Sequence, residues 1–120
     1  LYAVGRKNGP PFPRSSDLEL DGDDVCPSAV DEDGFFRGLS TFASPQDLAA
    51  NVSGQVWMLP AGTSLPDLAV VADGQNYNPR SPLPSSHHTM YPTRAMGYAE
   101  TRARYQGLGW VHVGHTRDFQ

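Results

Sequence analysis

Apolar residues along this chain fall in short runs that glycine and proline interrupt, and most runs are too brief for a helix. Leu1-Tyr2-Ala3-Val4, closed by Gly5, predicts a first, buried strand. From Asn8 to Val30 the chain passes through Gly-Pro-Pro and Arg-Ser-Ser to Asp17, Glu19, Asp21, Asp23 and Asp24, and it reads as a loop. Leu18 and Leu20 alternate with acids there, which fits a brief hairpin turning at Asp21-Gly22. Gly34 to Phe42 gathers aromatic and β-branched residues beside glycines, the pattern of a strand whose end approaches another group closely. Ser44-Pro45-Gln46-Asp47 is a helix start: Ser44 as cap, Pro45 at the first helical position and an acid three residues after the cap. That helix should run to about Asn51 and stop before Gly54.

Two strands are expected next, Gln55 to Leu59 and Leu68 to Val71, separated by a turn at Leu65-Pro66-Asp67. Residues 75 to 86 are dense in turn formers and predict an exposed loop. A strand from His87 to Tyr91 leads into Pro92. Thr93 is expected to cap a helix running to about Tyr105, with Met96, Ala99, Ala103 and Tyr105 near one face and Gly107 and Gly109 ending it. Trp110 to Val113 alternates as a closing strand. Strands and helices do not alternate as a parallel sheet requires, so the fold class is α+β. At 120 residues, without internal repeats, the chain predicts one domain spanning 1–120.

Composition narrows the functions. The 12 glycines and 11 prolines imply a loop-rich fold, short of the roughly 25–30% that marks low-complexity disorder. With 13 acidic against 9 basic residues there is no broad basic face for charge-driven binding of nucleic acid or anionic lipid. Lys7 is the single lysine, and the arginine bias favours planar, bidentate contacts to carboxylate or phosphate. Cys26 is the single cysteine and fits a reducing compartment. No apolar stretch approaches the roughly 20 residues that span a bilayer, and no segment resembles a signal peptide.

Candidate chemistry lies in two stretches. In Arg37-Gly38-Leu39-Ser40-Thr41-Phe42 a hydroxyl pair follows a glycine at a strand end, which suits holding a catalytic side chain or a ligand hydroxyl; a strand simply ending before the helix is the plainer alternative. In Ser86-His87-His88-Thr89-Met90-Tyr91-Pro92 the two histidines point to opposite faces, so one at most serves a given cleft and a structural role is open to both. His112 and His115 lack the acids or cysteines that would complete a metal site with them, and no metal is expected. Asp21-Gly22-Asp23-Asp24 is a solvated turn rather than a calcium loop. A hydrolase triad of Ser40, a histidine and an aspartate is disfavoured because Phe42 stands where a Gly-x-Ser-x-Gly elbow needs glycine. The sequon at Asn51 is read as chance.

Three blocks together resemble the ADP-ribosyltransferase-like toxins exported by bacterial type VI secretion and their eukaryotic, often fungal, relatives. They are Gly38-Leu39-Ser40-Thr41-Phe42, Leu59-Pro60-Ala61-Gly62-Thr63-Ser64-Leu65-Pro66-Asp67-Leu68, and His87-His88-Thr89-Met90-Tyr91-Pro92 followed by Met96; Leu1-Tyr2 is similar to the family's opening strand. The resemblance implies a split, two-sheet α+β core with an NAD cleft between the sheets. There the nicotinamide glycosidic bond loosens toward an oxocarbenium ion that an acceptor attacks, so positioning and charge stabilisation dominate.

Carried over by residue, the resemblance implies Ser40 and His87 as catalytic positions, with Tyr2, Arg6, Arg37, Thr41, Phe42 and His88 around the cofactor. The chain departs from the family at Ala3, where arginine is usual, and at Leu39, which replaces a hydroxyl residue. The expected glutamate is also displaced, since Glu100 falls on a predicted helix. The implied partners are NAD and an unidentified macromolecular acceptor, taken to be protein, with an immunity or antitoxin protein as a further partner and no membrane. The implied place of action is the cytoplasm of a target cell. A degenerate relative that binds a partner protein, and an NAD glycohydrolase, stand as alternatives.

Overall fold

In the computed structural model, which describes residues 1–32, 34–75 and 85–120, the hydrophobic runs are joined mainly into one large sheet. The elements in chain order are β1 (Tyr2–Gly5), β2 (Leu20–Asp21), β3 (Asp24–Val25), β4 (Leu39–Phe42), α1 (Pro45–Asn51), β5 (Gln55–Met58), β6 (Leu68–Val71), β7 (His87–Pro92), β8 (Met96–Gly97), α2 (Tyr98–Gln106) and β9 (Val111–His115). Six strands form an antiparallel sheet in the order β6-β7-β4-β1-β5-β9, and β2-β3-β8 make a small second sheet, also antiparallel. The chain is thus a small α+β domain with two α-helices and two antiparallel sheets among the described residues.

Register decides which face each side chain takes. Tyr2 is opposite Phe42 and Met58, Val4 opposite Val56, and Phe42 opposite His87, so these share one face of the large sheet. Phe42 and Val56 pack there under Leu48 of α1, with Tyr2, Val4 and Phe119 closing the cluster. On the other face Ala3, Leu39, Leu68 and Met90 pack against Tyr105, Leu108 and Trp110, which α2 and the segment after it supply. Buried Tyr105 donates its hydroxyl to the Met90 carbonyl at 2.6 Å, and Trp110 donates to the Tyr105 carbonyl at 2.8 Å.

α1 forms as its start signal dictates. Ser44 caps it by accepting from the Asp47 amide at 3.2 Å, Pro45 opens it, and Asp47 places negative charge in the first turn. The Asp21-Gly22 hairpin is also present, with Gly22 at φ 62°.

Three expectations need correction. The second helix begins at Tyr98 rather than after Thr93: β3 pairs with Met96 and Gly97, and the Thr93 amide donates to the Asp67 carbonyl, so tertiary partners hold the segment extended. Its buried face is Thr101 and Tyr105, whereas Ala99 and Ala103 are exposed; Thr101 buries cheaply because its hydroxyl donates to the Gly97 carbonyl. The strand before α1 starts at Leu39, with Phe36 forming only an isolated bridge to Val30 and a stacked contact on Tyr91. Most of the predicted 75–86 loop lies outside the described residues.

Candidate functional site

Gly38 sets the site's geometry. A Cβ there would stand 2.1 Å from the Met90 carbonyl oxygen and 3.1 Å from the Tyr91 Cα, so only glycine lets β4 enter this close to β7. Beyond it, β4 alternates: Ser40 is exposed on the α1 face, Thr41 is fully buried on the other, and Phe42 returns to the first.

A cavity of about 600 Å³ opens on that first face. Its floor is Val4, Phe42 and Leu48, with Ser40 and His87 in the wall; Asn51, Val52 and Ser53 close it where α1 ends. The opposite rim is a proline-rich segment bearing Arg6, Phe12, Arg14 and Asp17. α2 holds that segment in place, since the Tyr98 hydroxyl donates to the Pro13 carbonyl at 3.0 Å and Gln106 donates to the Pro10 carbonyl at 3.4 Å. Arg6 and Arg102 both lie over the Phe12 ring, 5.1 Å and 4.1 Å from its centre. Arg14 bonds to Asp17 at 3.2 Å, and that hydrogen bond and charge raise its basicity further.

His87 sits in this wall 4% exposed. Its Nδ1 lies 2.6 Å from Oδ1 of Asp73, itself 3% exposed, in the 3₁₀ turn Asp73–Gln75. Oδ2 of Asp73 accepts the hydroxyl of buried Thr89 at 2.5 Å. The His87 ring meets Phe42 edge-on, with centroids 5.1 Å apart.

Of the residues that sequence reasoning nominated, Ser40, Phe42, His87 and Arg6 are brought to the cavity. The others are elsewhere. Tyr2 packs in the apolar cluster of the same face, and Thr41 donates to the His88 carbonyl behind the sheet. His88 turns its Nδ1 to the Ser86 carbonyl at 2.7 Å. The Arg37 guanidinium bonds to the Ser16 carbonyl at 2.8 Å, near Glu19. Glu100 is on α2, exposed and paired with Arg94 and Arg104, outside the cavity lining. His112 bonds Gln55, and His115 accepts the Arg117 amide.

Asp73, Arg14, Asp17 and Asn51 are the residues that sequence reasoning missed. Asp73-Gly74 reads as an ordinary turn; only Thr89, two residues past His87 and therefore on its face, hinted that this face wanted a polar partner. The small sheet supplies no lining residue, so the cavity lies over one face of the large sheet rather than between two sheets. Comparison with protein-family models, curated proteins and solved structures finds no match to this chain. Among the described residues no helix is long and apolar enough to cross a membrane.

Proposed function

We propose that this chain is an NAD-dependent ADP-ribosyltransferase, built on an ADP-ribosyltransferase-like fold and acting on a protein acceptor in the cytoplasm of a target cell. The observation that carries the reading is the convergence of Ser40, His87, Phe42 and Arg6 on one cavity of about 600 Å³. That volume falls within the about 300–1,000 Å³ of cofactor-sized sites. The donor set fits NAD: Arg6, which stacks over Phe12, forms no ion pair among the described residues and supplies a cation for a diphosphate, Phe42 adds apolar floor, and Ser40, Asn51 and Ser53 offer polar groups for ribose or amide.

NAD supplies a glycosidic bond whose cleavage releases nicotinamide and leaves ADP-ribose for the acceptor. Arg6, with Arg14 beside Asp17, would hold the diphosphate at the rim, Ser40 would orient the ribose, and His87 would serve the reacting end. The apolar floor of Val4, Phe42 and Leu48 lowers the local dielectric on one side of the site, which strengthens polar contacts made against it. A serine hydrolase is a poorer fit, because a nucleophile must lie within hydrogen-bond reach of its base and Ser40 makes no hydrogen bond to His87.

Calorimetry with NAD, followed by assays for nicotinamide release and protein-bound ADP-ribose, tests the reading. Binding with labelling that Ser40→Ala and His87→Ala both abolish is expected. Nicotinamide release without labelled protein would make the chain a glycohydrolase, and no heat of binding at millimolar NAD would leave the partner-binding alternative.

A further inference from the structure

Asp73, His87 and Thr89 form a chain of side chains, each 4% exposed or less, of which His87 lines the cavity. A buried carboxylate persists when its oxygens are filled by donors, and here both are. Oδ2 takes the Thr89 hydroxyl, and Oδ1 faces His87 Nδ1 at 2.6 Å. A carboxylate only accepts, so Nδ1 carries the proton. The other ring nitrogen, Nε2, has no hydrogen-bond partner among the described residues. His87 is one of the residues that line the cavity.

We propose that Asp73 is a positioning residue, held by Thr89, that locks His87 in the Nδ1–H form and presents the Nε2 lone pair to the cavity as a proton acceptor. The inference rests on the NAD reading for its use. There Nε2 takes the proton of a hydroxyl nucleophile, water or an acceptor hydroxyl, as its oxygen bonds to the ribose carbon and the glycosidic electron pair leaves on the nicotinamide nitrogen. His87 then returns the proton to solvent. No carboxylate other than Asp17 lines the cavity among the described residues, and Asp17 is engaged by Arg14 and the Arg14 amide. Among the described residues Asp73 bonds the imidazole, Arg6, Arg14 and Asp17 are the charged groups that line the cavity, and Asp47 of α1 is bonded to Ser86, the residue before His87.

Two-bond proton–nitrogen correlation on histidine-labelled protein, at a pH where the ring is neutral, reads the tautomer directly. Wild type should show His87 only as Nδ1–H, and Asp73→Ala should show a mixture. An Nε2–H ring in wild type, or an unchanged ring in Asp73→Ala, overturns the proposal. Should Asp73→Ala not fold, Thr89→Val, which keeps shape and removes one donor, must still loosen the tautomer or the proposal fails. In nicotinamide release, Asp73→Ala should lower turnover by about 10²-fold while changing NAD affinity by less than about threefold; loss of affinity at unchanged turnover would mark a merely structural role and overturn it. Wild-type protein that neither binds nor cleaves NAD overturns the function proposed above, and the tautomer then decides this inference alone.

Discussion

The Met90 carbonyl is crowded from two directions, by the Gly38 backbone and by the Tyr105 hydroxyl. Gly38→Ala forces a methyl to 2.1 Å from that oxygen, against backbone that has no rotamer to yield. It should destabilise the domain by about 1–3 kcal/mol or more, seen as a lower denaturant midpoint, and should disturb the cavity at Ser40. Tyr105→Phe removes a buried donor and should cost about 1 kcal/mol at neutral pH. Burial raises the Tyr105 phenol above its ordinary value of 10.0. A group raised on folding contributes stability fully below the unfolded value and loses it as pH climbs toward the folded one. Thermal unfolding above pH 10 should therefore fall more steeply in wild type than in Tyr105→Phe. At this scale the sequence nominated Ser40 and His87, which both line the cavity, because a glycine and a histidine pair announce themselves. It hid Asp73, whose value depends on burial and on a ring fourteen residues along the chain.

Among the elements, α1 was legible almost to the residue because cap, proline and acid are local chemistry acting within one turn. Ser44→Ala should cost about 1 kcal/mol in equilibrium unfolding. Since Asn51 to Ser53 line the cavity at the helix's far end, fraying should also weaken the proposed NAD binding. The start of α2 was misplaced for the opposite reason. Thr93 carries a local capping signal, but Asp67 and β3, distant in sequence, override it and hold Thr93 to Gly97 out of the helix. The alternation His87-His88 was readable as two faces, but nothing local said which face carried the cavity.

For the whole molecule, the α+β class followed from element order, whereas the sheet order β6-β7-β4-β1-β5-β9 did not. Alternation states which face a residue takes and says nothing of which strand lies beside it. β1 is the case in point: it sits between β4 and β5, with Tyr2 opposite both Phe42 and Met58. Because β1 joins β6-β7-β4 to β5-β9, Ala3→Asp, which places a charge at a fully buried position, should leave no cooperative unfolding transition.

That central place also has a temporal meaning. During synthesis β1 leaves the ribosome before the other strands of its sheet, its two hydrogen-bonding neighbours follow only after Phe42 and Met58 have been made, and β9 is the last of the six to emerge. Ribosome-bound intermediates should then show unprotected β1 amides until β5 has emerged, and refolding should be slow, in the millisecond-to-second range of domains dominated by distant pairings. If the proposed activity holds, the cavity wall that β1, β4 and β7 build cannot exist on the ribosome until His87 has emerged, so no nascent chain shorter than that exposes the cell that makes it to this chemistry.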